Sequence, residues 1–60
     1  METILVVEDD EVHRDALART LRRSGFAVQT AAGAAQAEVV VRSRLPHGAV
    51  VDLRLLDGDG

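Results

Sequence analysis

The sequence predicts an α/β fold, a doubly wound parallel sheet with element order β-α-β-α-β, and three observations point to it. Two short apolar runs, Ile4-Leu5-Val6-Val7 and Ala49-Val50-Val51, are continuous rather than alternating, as in strands covered on both faces of a parallel sheet. Each run stops abruptly at acidic residues, Glu8-Asp9-Asp10-Glu11 after the first and Asp52 after the second. Between the two runs the apolar residues recur at helical spacing.

Taken in order, the first strand is expected over residues 4–7. The acidic cluster behind it doubles as a helix start, with Asp10 or Glu11 near the N-cap, where negative charge suits the macrodipole. A helix follows over residues 12–24, with Val12, Ala16, Leu17 and Leu21 in one stripe and Arg14, Arg19, Arg22 and Arg23 mostly away from it. Gly25 is a natural stop just past the C-terminus. A short strand is expected over residues 26–30, with Phe26 and Val28 on one face, and Ala31-Ala32-Gly33 as a turn. The second helix is placed over residues 34–45, with Ala37, Val40, Val41 and Arg44 on one face. Val39-Val40-Val41 works against it, because three β-branched residues in a row favour strand. Pro46-His47-Gly48 ends that helix, residues 49–53 form a third strand, and residues 54–60 are a loop rich in Asp and Gly. Right-handed crossovers then put the helices on opposite faces of a sheet ordered 2-1-3, with the first strand central.

Composition excludes several functions. A chain of 60 residues makes one domain at most, 1–60. A domain of that size buries only roughly 60% of the surface its unfolded chain exposes, so it gains from a partner. Absence of cysteine excludes disulfides and thiolate metal sites. His13 and His47 lie far apart in sequence, which argues against zinc. A net charge of −3 provides no electrostatic footprint for nucleic acid. The single aromatic residue, Phe26, leaves little for base stacking. No apolar run approaches the ~20 residues of a membrane span, and the start lacks the basic and apolar segments of a signal peptide. A soluble, cytoplasmic protein is expected. All seven basic residues are arginine.

In an open parallel sheet, ligands bind outside the carboxyl ends of the strands where the strand order reverses. Here that point falls between the first and third strands, and both end there in acids. Three converging carboxylates, Glu8, Asp9 and Asp52, repel one another unless a cation lies among them. Oxygen-only donors fit a hard ion, Mg²⁺ above all, held by one or two carboxylates, waters and phosphate oxygens. An aspartate beside such a cation is also a plausible phosphoryl acceptor, since a carboxylate can attack phosphorus. Taken alone, the acidic run would be an ordinary helix cap, and Asp10 is expected to be a cap rather than a ligand. Asp57 and Asp59 supply turn chemistry with their glycines. His13 is expected to face solvent, His47 to be a turn residue, and the arginines of the first helix to form a solvated face.

The stretches ILVVEDD at 4–10, Gly25-Phe26 and AVVDLRLLDGDG at 49–60 resemble the receiver domain of two-component response regulators. The resemblance spans the chain but only about the first half of the family's flavodoxin-like fold, so a truncated receiver is implied. By that resemblance Asp52 is the phosphorylated aspartate and Asp9 the direct metal-ligating acid. Glu8 is its partner acting through water, the backbone carbonyl of Arg54 is the third protein ligand to Mg²⁺, and Gly60 closes the loop. It implies a phosphoacceptor signalling domain rather than an enzyme, served by a sensor histidine kinase, whose histidine-containing domain can dock on the first helix.

Three departures stand out. Leu56 occupies the position of the family's usual proline, and the switch Ser/Thr and the lysine of the later strands have no counterpart in this chain. The third strand is expected to be an open edge beside an apolar face, which implies a homo-oligomer, a twofold dimer foremost. The alternative to a phosphoryl-accepting module is therefore a truncated receiver that takes no phosphate and works as an interaction module, by oligomerising or by pairing with a full receiver.

Overall fold

The computed structural model of the chain describes residues 1–51. Five elements follow one another: β1 (Thr3–Val7), α1 (Glu11–Arg23), β2 (Ala27–Ala31), α2 (Ala34–Ser43) and β3 (Gly48–Val51). They form a three-stranded parallel sheet in the order β2-β1-β3, as the sequence predicts. Register is even on both sides of β1. Val7 lies opposite Ala31 of β2 and opposite Val51 of β3, so all three strands end level with one another.

β1 is central because it is the most apolar strand, and Leu5, Val6 and Val7 are buried. Full burial of such side chains contributes about 1.5–3 kcal/mol each. Leu5 and Val7 point to one face, where they join Ala31 and receive Ala37 and Val40 of α2. Val6 points to the other face. α1 packs on β1 and β2 and makes no contact with α2, in keeping with right-handed crossovers that place the helices on opposite sides. Neither helix packs on β3.

The buried stripe of α1 differs from the one expected. Leu17 and Leu21 are part of it, but Val12 is 78% exposed and Ala16 is exposed, while Ala18 is buried and Arg14 partly so. The inward positions are therefore 14, 17, 18 and 21, the same helical spacing rotated toward the end of β1. Asp10 is the N-cap and accepts a hydrogen bond from the Val12 amide at 3.1 Å.

At the other end of α1, Gly25 has φ +97°, a conformation open to glycine and strained for other residues. Its amide bonds the Arg22 carbonyl and that of Phe26 bonds the Leu21 carbonyl, a Schellman closure. Phe26 is thereby used in the cap, which is why β2 begins at Ala27 and runs one residue further than expected, through Ala31.

α2 forms despite its three valines, because Val40 gains a place on the core. It ends at Ser43 rather than residue 45, with Arg44 extended at φ −159° and ψ 116°. Pro46 disfavours helical backbone at Leu45, so the helix cannot continue to residue 45 as expected. His47 does more than turn the chain. Its Nδ1 accepts from the Thr3 amide at 2.9 Å while its own amide donates to the Thr3 carbonyl at 2.8 Å, tying the entry of β3 to that of β1.

β3 has an apolar run, yet among the described residues it is the open edge beside an apolar face that the sequence implies. Val50 is 38% and Val51 49% exposed, since no described helix lies over either. An open groove of about 750 Å³ lies between α2 and the ends of β1 and β3, lined by Ala37 and Val41 of α2, Val7 and Val51 among others. The expected residues 52 and 53 of this strand, and the loop 54–60, lie outside the described residues.

Candidate acidic site at the carboxyl end of the sheet

The site is built on the last turn of chain after β1. Glu8 continues the strand by one residue, its amide donating to the Ala31 carbonyl at 3.0 Å. Its side chain is a buried carboxylate, 0% exposed. A buried charge is costly unless it is hydrogen-bonded, and here each oxygen has its own holder. Oε2 accepts from the Asp10 amide at 3.0 Å. Oε1 meets Nδ1 of His13 at 2.5 Å. The Glu8 carbonyl accepts from Nη1 of Arg14 at 3.0 Å.

These contacts follow from local chain geometry. Asp10 caps α1, so its amide lies where the chain turns from strand to helix and faces back to Glu8. His13 and Arg14 sit in the first turn of α1, and helical side chains lean toward the N-terminus, here toward the end of β1. Asp9 is exposed, and no hydrogen bond or ion pair holds its carboxylate among the described residues.

Two expectations are thereby corrected. His13 does not simply face solvent: its side chain is 45% exposed, yet its ring engages the buried acid. Arg14 does not belong to a solvated basic face, because its guanidinium closes the carbonyl at the strand end. Spacing along the sequence could have signalled both, since residues five and six positions past a strand-end acid fall in the first turn of a helix that starts immediately after it. Asp10 is a cap, as expected.

Of the expected site residues, the structure places Glu8 and Asp9 side by side at the end of the central strand. Asp52 and Arg54 lie outside the described residues. Asp52 is one residue past Val51, whose partner is Val7. Among the described residues no group of three or more His, Cys, Asp or Glu is arranged to hold a metal ion. The switch point of the sheet nevertheless falls here, between β1 and β3.

The family model for the response regulator receiver domain matches residues 4–60. The chain belongs to that family. Among receiver-containing proteins it is similar to the photosynthetic apparatus regulatory protein RegA of Cereibacter sphaeroides, 41% identical over 58 residues. That match covers 97% of this chain and 32% of the relative. It is also similar to the acid tolerance regulatory protein ActR of Rhizobium meliloti, 41% identical over 59 residues, covering 98% of this chain and 30% of the relative. The virulence transcriptional regulatory protein PhoP of Salmonella typhimurium is 42% identical over 60 residues, covering 100% of this chain and 27% of the relative. The receiver chain thus spans about a third of the length of these relatives. No solved structure matches it. Among the described residues no helix of this receiver is long and apolar enough to cross a membrane. Receiver membership places the chain among signalling modules.

Proposed function

We propose that this receiver module accepts a phosphoryl group on Asp52, beside a divalent cation held by Glu8, Asp9, Asp52 and the backbone carbonyl of Arg54. The observation that carries the reading is the buried Glu8 carboxylate next to exposed Asp9, at the end of a central strand that ends level with β3. A fold gains little stability from a carboxylate buried at that cost, so a role at the strand mouth accounts for it.

The donor set fits Mg²⁺. It is oxygen throughout, with Asp9 exposed and open to an ion, while Glu8, already held at both oxygens, suits contact through water. A bound Mg²⁺ would offset the repulsion among the carboxylates and the charge on the phosphoryl oxygens. The chain's own part is direct. An ionised oxygen of Asp52 attacks phosphorus, the bond to the donor's leaving group breaks, and an acyl phosphate remains. A sensor histidine kinase is the donor proposed by family membership, in the cytoplasm, and the phosphorylated module would serve as input to a regulatory protein. The test is incubation with acetyl phosphate and Mg²⁺, read by intact mass. One phosphoryl group per chain is expected when Mg²⁺ is present, and no gain in mass with Mg²⁺ would overturn the reading.

A second reading rests on β3 and the groove beside α2. Exposed Val50 and Val51, the apolar lining at Val41 and Ala37, and the unpaired outer edge of β3 among the described residues favour self-association. A twofold dimer pairing these surfaces is expected at micromolar concentration, measured by sedimentation equilibrium, and Val51→Lys should shift it to monomer. A dispersed monomer with full secondary structure by circular dichroism would contradict this.

A further inference from the structure

We propose that His13 is a positioning residue of the acidic site, holding the Glu8 carboxylate in the orientation in which it receives the water shell of the cation. The inference rests on the metal reading of Glu8 and Asp9 given above and assigns a role to a residue outside that donor set.

The case begins with what holds Glu8. Its side chain is buried, yet the two oxygens are restrained from different places. Oε2 is held by the Asp10 amide, a contact that comes with the helix cap and would persist whatever residues followed. Oε1 is held by Nδ1 of His13 at 2.5 Å, a side chain from α1. Loss of the second contact removes the hold on Oε1 that α1 supplies.

The chemistry of the pair is also defined. An ionised carboxylate only accepts, so with Glu8 in that form the hydrogen in this contact is carried by Nδ1 of the ring. An ionised carboxylate has about four acceptor sites, so restraint at each oxygen does not exhaust its capacity for a metal-bound water. Carboxylates in metal sites are themselves oriented by such hydrogen bonds, and losing one typically costs 10–100-fold in metal affinity.

Apolar packing does not call for histidine at this position, although its contact with a buried carboxylate oxygen also supports the fold. The ring is 45% exposed, it is not part of the core cluster, and Val12 beside it is largely exposed. Alanine at position 13 would favour the helix more. A histidine there serves the carboxylate it touches.

The test compares the wild-type protein with His13→Ala and His13→Asn, the latter placing a donor nitrogen close to where Nδ1 lies. Mg²⁺ affinity is read from the amide shifts of Glu8 and Asp9 during titration, and thermal unfolding is followed without Mg²⁺. His13→Ala should weaken Mg²⁺ binding about tenfold, the lower end of the range for such oriented carboxylates. His13→Asn should restore most of it, and the loss of affinity in His13→Ala should persist at temperatures well below its midpoint of unfolding, where the chain is fully folded. Equal Mg²⁺ affinity in wild type and His13→Ala would overturn the role of His13 while leaving the metal site standing. So would Asn binding as weakly as Ala. A wild-type protein whose Glu8 and Asp9 amides ignore Mg²⁺ would overturn the metal reading itself and this inference with it.

Discussion

Asp52→Asn should abolish phosphoryl incorporation from acetyl phosphate while leaving the fold intact. Asparagine matches aspartate in size and keeps an acceptor oxygen, but that oxygen carries no charge and is a poor nucleophile toward phosphorus. The expected result by intact mass is a wild-type chain that gains one phosphoryl group with Mg²⁺ and a variant that gains none. Far-ultraviolet circular dichroism should be the same for both, since the two side chains match in size and the described pairs of β3 with β1, Gly48 to Val51, are untouched by the change. Asp9→Asn provides the companion. It keeps the nucleophile and removes charge from the cation site, so incorporation should slow and require more Mg²⁺. A variant at position 52 that labels as well as wild type would place the acceptor elsewhere, and Asp9 would be the next candidate.

Leu5→Ala should unfold the chain or nearly so. Leu5 is 3% exposed at the middle of the central strand and joins Val7, Ala31, Ala37 and Val40 in the one cluster that ties the sheet to α2. Truncating such a leucine costs about 2–5 kcal/mol. A chain of this length holds on the order of 3–9 kcal/mol in total. The loss is therefore comparable to the whole reserve, and the denaturation midpoint should fall steeply or the native signal vanish at room temperature. Val12→Ala, on the exposed side of α1, should change stability by no more than about 0.5 kcal/mol. Similar midpoints for the two variants, by urea titration, would contradict the assigned core.

Much of this fold was legible from residue patterns, because its strongest signals are local. The run Ile4 to Val7, the cap at Asp10, the stop at Gly25 and the turn at Pro46 each act within a few residues. They located all five elements and the strand order. The errors arose where tertiary contacts choose between local options. Leu17 and Leu21 are compatible with a stripe that includes Val12 and Ala16 or one that includes Arg14 and Ala18. The second is realised with Arg14 reaching the Glu8 carbonyl. Phe26 reads as strand by propensity but is used by the helix cap.

The same division holds at the site. Glu8 and Asp9 were legible as acids ending a strand, and their adjacency to the level end of β3 follows from strand order and register. The partnership of Glu8 with His13 was not. A histidine on a helix reads as solvent-facing unless the helix start is known to turn back over the strand end. Arg14 was missed for the same reason, and His47 because a turn residue's hydrogen bonds to a distant strand leave no periodic trace.

The account depends most on β1 and β3 delivering their acids to one cation, and a paramagnetic titration tests this directly. With Mn²⁺ in place of Mg²⁺, nuclear magnetic resonance signals of nearby amides broaden at low occupancy. Broadening is predicted together at Val7 to Asp10 and at Val51 to Leu53, reversed by excess Mg²⁺, with Thr3 and Gly48 at the opposite end of the sheet unaffected. Broadening confined to one of the two strand ends, or spread evenly over exposed acids such as Glu2 and Glu38, would contradict it.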